Sequence, residues 1–273
     1  MPQLTVYLLG APRVERDGVP LDLTTRKALA LLAYLAITGT THSRDSLATL
    51  FWPESGQAHA RGALRYTLAM LKHALGDEWL HATREQIGLP RRAELDVDVV
   101  RFDWLIAQWQ AHGHTAEQVC PACVTSLREA VGLQRGPLLA GFTLPDSPGF
   151  DDWQFFETER LQRAQAAALA ALVASYRAAG AFAEAIPYAQ RWLALDPLQE
   201  AVHRELMQLY ADAGQRAAAL RQYTTCVQVL EAELGVTPAP ETTALYHQFH
   251  TSVPEATALP PVPAVSSGAR PTA

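Results

Sequence analysis

Lysine is nearly missing from this chain: only Lys27 and Lys72 occur, and arginine carries the rest of the positive charge. That scarcity excludes a phosphate-binding loop, which ends in Gly-Lys-Ser/Thr, because Lys27 follows Arg26 and Lys72 follows Leu71. Cysteine is also sparse. Three residues, Cys120, Cys123 and Cys226, are too few for the disulfide framework of a small secreted domain. No stretch reaches the roughly 18 uncharged apolar residues of a membrane span. The opening residues hold Arg13, Glu15, Arg16 and Asp17 among short apolar runs, which does not fit a signal peptide. The expectation is a soluble cytoplasmic protein with no membrane partner. A convergent catalytic set is missing as well. Glu157 and Glu159 lie on a polar segment with no nucleophile or histidine beside them, so the chain reads as a non-enzyme.

What is present is apolar and unevenly charged. Hydrophobic residues make up 49% of the 273, enough for two domains and a tail. The formal net charge of −6 argues at first against nucleic acid, but its distribution matters more. Residues 1–98 hold 11 basic and 11 acidic side chains, whereas 99–273 hold 11 and 17. A neutral N-terminal part with clustered arginines remains compatible with DNA.

The segment 58–75 is the sharpest feature of that part. Leu64, Leu68, Leu71 and Leu75 recur at the spacing of a buried helix stripe. Arg61, Arg65 and Lys72 flank the stripe, and His59, Gly62, Tyr66, Ala69 and His73 occupy the far face. Small residues there would let a backbone approach a major groove while long ones reach phosphates and base edges. An ordinary solvated amphipathic helix has the same pattern, so the surroundings decide.

Those surroundings read as a winged helix. Leu4, Val6 and Leu8 alternate with polar residues, and an Asp17-Gly18 turn separates two further short strands. Thr24 or Thr25 caps a helix over 26–37, ended by Gly39. Ser43 caps a second over 44–51, stopped by Pro53, and Gly76 closes the third. Residues 79–83 and 86–89 read as a closing hairpin around Arg84-Glu85. Arg84, Arg91 and Arg92 lie in or after that wing, as DNA contacts or as solvated turn arginines. From Asp96 the strand pattern gives way to helical periodicity, with helices expected over 101–112, about 124–133 and from 151 onward, and a Pro/Gly-rich loop over 136–149.

The long helical part repeats itself. Leu172, Tyr176, Gly180 and Ala185 recur 34 positions later as Leu206, Tyr210, Gly214 and Ala219, and Ala189 and Tyr223 keep the same offset. This is the tetratricopeptide period, a sign of stacked helical hairpins offering a partner surface. Residues 254–273 hold five prolines among small polar residues and read as a disordered linker. The expected fold is therefore mostly α with a small β portion. A winged helix over 1–98 with an N-terminal sheet and closing hairpin precedes a tetratricopeptide-like domain over 99–250 and a tail over 251–273.

With these pieces assembled, the chain resembles the antibiotic-regulator (SARP-like) type of actinobacterial transcription factor. That family joins a response-regulator-type winged helix to a bacterial transcriptional activator domain. The resemblance rests on R-K-A-L-A-L-L-A-Y-L-A (26–36), S-R-D-S-L-A-T-L-F-W (43–52) and R-G-A-L-R-Y-T-L-A-M-L-K-H-A-L-G-D (61–77). In the second part it rests on R-G-P-L-L-A-G-F (135–142), D-D-W (151–153), E-R-L (159–161), D-P-L-Q-E (196–200) and A-A-A-L-R-Q-Y (217–223). It covers residues 3–250. The chain departs from it in the wing, where Gly88-Leu89 stands in place of a Gly-Tyr pair. The resemblance implies a transcriptional activator whose third helix enters the major groove. Arg65 and Tyr66 would lie near bases, Arg61 and Lys72 would hold phosphates, and His59 and Arg84 would be further contacts. It also implies that the helical domain serves homodimerisation, RNA polymerase contact, or signalling from an effector domain that would begin after the linker. Control by phosphorylation is not implied, since no receiver domain precedes the winged helix.

A separate pattern is His112-x-His114 followed by Cys120-x-x-Cys123. Two imidazoles and two thiolates could form a tetrahedral zinc site. Buried packing cysteines and a thioredoxin-like dithiol are the alternatives, although no βαβ pattern surrounds the pair. No other cofactor is implied. Sequence-specific DNA binding by a transcriptional regulator is the leading reading. A tetratricopeptide-type interaction scaffold, or a metal- or thiol-responsive sensor using 112–123, are the competing ones.

Overall fold

The computed structural model describes residues 3–23, 25–90, 92–114 and 119–251. The tail beyond 251, Thr24 and Arg91 lie outside the described residues. Chain order begins with β1 (Leu4–Tyr7), β2 (Arg13–Arg16) and β3 (Val19–Pro20). Leu4 and Val6 are fully buried while Thr5 and Tyr7 are half-buried, the period-two signature of a strand with one covered face. Arg16 pairs with Val19 across a two-residue loop. Asp17 (φ 54°) and Gly18 (φ 77°) both adopt left-handed backbone, the conformation such a hairpin needs.

Three helices follow: α1 (Arg26–Thr38), α2 (Arg44–Phe51) and α3 (Gln57–Leu75). Thr25 Oγ1 accepts from the Ala28 N–H at 3.2 Å, and Ser43 Oγ from the Ser46 N–H at 3.0 Å, so α1 and α2 start where a side chain can occupy an orphan donor. β4 (His42–Ser43), β5 (His81–Ala82) and β6 (Gln86–Gly88) form a second sheet, ordered β4-β6-β5. Helices and hairpin together make the expected winged helix.

Two β boundaries differ from expectation. Asp77–Trp79 is a 3₁₀ turn, which shortens the first wing strand to two residues. The β pattern also continues past Asp96: β7 (Leu95–Val97) pairs parallel to β1, giving the first sheet the order β3-β2-β1-β7. Three residues are too few for alternation to be legible, and the partner strand lies some 90 positions upstream.

Helices α4 (Asp98–Ala111) and α5 (Pro121–Leu133) form a hairpin, followed by α6 (Pro148–Ala178), α7 (Phe182–Leu195), α8 (Glu200–Asp212), α9 (Arg216–Leu234) and α10 (Pro240–Thr251). Helix α5 starts three residues earlier than periodicity suggested, because Pro121 is well suited to a first helical position. The 34-residue repeat is real in three dimensions. Gly180 (φ 70°) and Gly214 (φ 73°) turn equivalent helix ends. The Ala181 and Gln215 N–H groups donate to Tyr176 and Tyr210 carbonyls at 2.9 and 2.7 Å. Leu172, Leu206, Ala185 and Ala219 are all fully buried at the helix contacts.

A single hydrophobic core runs from Leu4 through Leu172, across position 98. The R-G-P-L-L-A-G-F segment closes it. The Arg135 and Leu139 N–H groups donate to Leu9 and Leu8 carbonyls at 3.1 and 2.8 Å, and the Gly10 N–H donates to Pro137 O at 3.0 Å. Gly10 has φ 127°, and a Cβ there would meet Arg135 Cβ at 3.1 Å. Asp98, 5% exposed, accepts from the Leu8 and Leu9 N–H groups at 2.8–2.9 Å. Lys27 donates to the Phe51 carbonyl and to Ser147 Oγ, tying α1 and α2 to the loop before α6.

Candidate nucleic-acid interface

Helix α3 buries Ala60, Leu64, Thr67, Leu68, Leu71 and Leu75 against the winged-helix core. The opposite face carries Ala58, Gly62 and Ala69 along its middle, all exposed. Arg61 and Arg65 project from one edge of that face, Tyr66 and His59 from the other. Tyr66 is 64% exposed. Around Gly62 a Cβ would meet nothing within 4 Å, so no neighbour in the fold requires a glycine there. Glycine inside a helix nonetheless costs about 1 kcal/mol relative to alanine.

The edge bearing Arg61 and Arg65 faces the wing across an open groove of about 820 Å³. Arg44, Arg61, Arg65 and Arg84 line it, from α2, α3 and the β5–β6 turn, against Asp45 and Glu85. The wing tip is held in place: Arg44 Nε donates to Thr83 O at 2.8 Å, and the Arg44 N–H donates to Glu85 O at 2.9 Å. Thr83 Oγ1 accepts from the Gln86 N–H at 3.0 Å inside the turn. Gly88 is explained by packing, since a Cβ would meet Thr41 Cγ2 at 3.0 Å on the neighbouring strand.

Arg61 is already engaged. Its Nε and Nη2 donate to the Asp45 carboxylate at 2.6 and 2.7 Å. The Arg61 hydrogen bond holds the Asp45 carboxyl below its ordinary range, and Asp45 raises the Arg61 guanidinium. Lys72 lies nearer the C-terminal end of α3, 3.4 Å from Asp77. Of the six residues singled out from sequence, the groove thus unites Arg61, Arg65 and Arg84. His59 and Tyr66 stand on the other edge of α3, and Lys72 stands apart. Sequence reasoning missed Arg44 and Asp45. Each is ordinary as a first-turn residue of a short helix, and their partners lie 39 and 16 positions away. The remaining cluster, His112, His114, Cys120 and Cys123, gathers at the turn between α4 and α5.

Residues 97–249 match the family model described as the bacterial transcriptional activator domain. The chain belongs to that family. The matched range begins at Val97, so this activator-domain family covers α4 through α10 and the last strand residue before them. The chain is 27% identical over 256 residues to the transcriptional regulatory protein MoaR1 of Mycobacterium tuberculosis, spanning 90% of this chain and 79% of MoaR1. It is 27% identical over 247 residues to the regulatory protein AfsR of Streptomyces griseus, of which it spans 24%. A solved structure of Mycobacterium tuberculosis EmbR, in complex with a low-affinity phosphopeptide, aligns with TM-score 0.67 at 24% identity. That alignment covers 93% of this chain and 66% of EmbR, and it bears on the fold. This member of the activator-domain family is a DNA-binding transcriptional regulator of the antibiotic-regulator type, as the motifs implied. Among the described residues, no helix is long and apolar enough to cross a membrane.

Proposed function

We propose that α3 lies in the DNA major groove with its Gly62–Ala69 face toward the bases, and that the arginine-lined groove beside it follows one phosphate strand. Arg65, exposed and in no ion pair among the described residues, reads a base edge, and Tyr66 packs near the bases from the opposite edge. Arg44 and Arg84 hold phosphates on the wing side, Lys72 does so at the far end of α3, and His59 is an auxiliary contact near its start. Arg61 serves first to anchor α3 to α2 through Asp45, and reaches a phosphate only by leaving that carboxylate.

The observation that carries this reading is the convergence of four arginines from three elements beside a helix face whose central glycine has no role within the fold. Favourable arginine–phosphate contacts also account for DNA binding by a chain with net charge −6. The helical hairpins α6 to α9 are then the surface for RNA polymerase or a second copy of the chain, with activation in the cytoplasm as the outcome. The test is competitive binding to duplexes selected from a random pool. Arg65→Ala should weaken the selected site by about 1–3 kcal/mol and relax preference at one position. Lys72→Ala should weaken all duplexes alike and make the salt dependence shallower. Parent-like binding by both variants would remove α3 from the interface.

A further inference from the structure

The geometry points to a structural zinc site at the α4–α5 turn, with His112 Nδ1, His114 Nε2, Cys120 Sγ and Cys123 Sγ as its four ligands. All four atoms lie within 4.8 Å of one another. His112 Nδ1 is 3.3 Å from His114 Nε2, 3.7 Å from Cys120 Sγ and 3.3 Å from Cys123 Sγ. A regular tetrahedron with zinc–nitrogen and zinc–sulfur bonds of about 2.0 and 2.3 Å has edges of roughly 3.3 Å between nitrogens and 3.5 Å between nitrogen and sulfur. The three separations from His112 Nδ1 match those edges to within a few tenths of an ångström.

Hydrogen bonding does not account for the arrangement. An imidazole nitrogen has one in-plane lone pair or one hydrogen, so it makes one good hydrogen bond. Here three polar atoms converge on the same ring nitrogen. A shared cation at the centre satisfies all of them together, since each donor then points its lone pair inward. The backbone supports this. Gly113 turns with φ 64° between the two histidines, letting the chain fold back after the α4 end. Cys120 is the residue before α5 and Cys123 lies in its first turn, so both sulfurs reach one point from a helix start. The Cys123 N–H faces the Cys120 sulfur, the kind of outer contact that orients a thiolate ligand.

Two imidazoles and two thiolates are a zinc donor set, and four protein ligands leave no open position for a reacting water. The ion therefore clips α4 to α5. Since α4 begins at Asp98, which receives the Leu8 and Leu9 N–H groups, the clip steadies the helix that holds the DNA-binding half. Cys226 is buried within α9 and takes no part.

The test uses the full chain, purified under reducing conditions without chelator. Elemental analysis should find about one zinc per chain. Cobalt(II) added to metal-stripped protein should give the intense visible bands of tetrahedral coordination and a thiolate-to-cobalt charge-transfer band. Cys120→Ser and His114→Ala should each lose stoichiometric metal, whereas Cys226→Ser should keep it. Removing zinc should lower the melting temperature through linkage. The site is overturned if reduced wild-type protein is metal-free and gives only the weak spectrum of octahedral cobalt. It is also overturned if Cys120 and Cys123 form a disulfide on handling and the re-reduced protein takes up no metal. The cobalt titration on wild-type protein decides the matter even if a variant fails to fold.

Discussion

Replacing Asp98 with alanine is expected to destabilise both halves of the molecule together, although the residue touches no DNA-facing group. Its carboxylate accepts from Leu8 N–H at 2.8 and 2.9 Å, from Leu9 N–H at 2.9 Å and from Arg135 Nη2 at 3.2 Å. Leu8 and Leu9 are both fully buried, so the truncation leaves this pair of backbone donors without an acceptor, besides the buried Val99 N–H at the start of α4, which lies 2.9 Å from the same carboxylate. Each such donor costs about 1–3 kcal/mol, or about 2–6 for the pair. Part of this is returned because the carboxylate no longer has to be desolvated: burial pushes the Asp98 carboxyl up, against the Leu9 and Leu8 N–H groups and Arg135. The Arg135 pair contributes little, since that side chain is 39% exposed. A net loss of about 2–4 kcal/mol remains. In a protein of this size about 1 kcal/mol moves the melting temperature by about 2–4 °C, so a fall of roughly 4–16 °C is expected by far-ultraviolet circular dichroism.

The sign of the pH effect gives a second readout. A carboxyl raised on folding favours the folded state fully below its unfolded value, and that contribution is lost as pH rises through the folded value. Asp98→Asn should therefore lack this decline just above the usual carboxylate range. It should still melt below the parent, because its amide NH₂ opposes one of the two donors. Native-state hydrogen exchange should show Leu8 and Leu9 amides losing protection in both variants. A melting temperature for Asp98→Ala within about 1 °C of the parent would refute the reasoning.

Other outcomes follow from the same contacts. Asp45→Ala should free the Arg61 guanidinium and tighten binding to duplexes of any sequence, with a steeper salt dependence. Unchanged binding would mean that Arg61 does not face phosphate. A fragment of residues 1–98 should be a poorly packed species. It lacks Phe150 and Trp153, whose rings lie 5.5 Å from Phe51 and 5.0 Å from Tyr34, and the 135–142 segment that covers the end of β1. Residues 1–180 should restore a cooperative melt, and a sharp melt of 1–98 alone would show that the shared core is dispensable. Gly62→Glu should leave thermal stability nearly unchanged while abolishing specific DNA binding, because a side chain there meets open space in the fold and, in a complex, the groove. Retained specific binding would turn that face away from DNA.

Sequence alone determined whatever depends on neighbours within a few turns of chain. The apolar stripe of α3, the Ser43 cap, the Asp17-Gly18 hairpin and the 34-residue repeat are local or periodic, so their spacing is their structure, whereas the choice of Thr25 over Thr24 as the first cap came from the fold. The His/Cys cluster was legible as a set of ligand types within twelve positions, but its convergence on one nitrogen was not. Tertiary structure decided the rest. A three-residue strand such as Leu95–Val97 has no readable period and exists because β1 offers it an edge. Arg61 is a paired arginine only because α2 brings Asp45 beside it. Arg44 belongs to the groove only because the wing folds back onto the start of α2. The joining of the two halves through Asp98, Lys27 and the 135–142 segment rests on hydrogen bonds between residues 89 to 131 positions apart. Such pairs leave no mark on local composition, because the energy that selects them comes from excluding water around groups that meet only after the chain has folded.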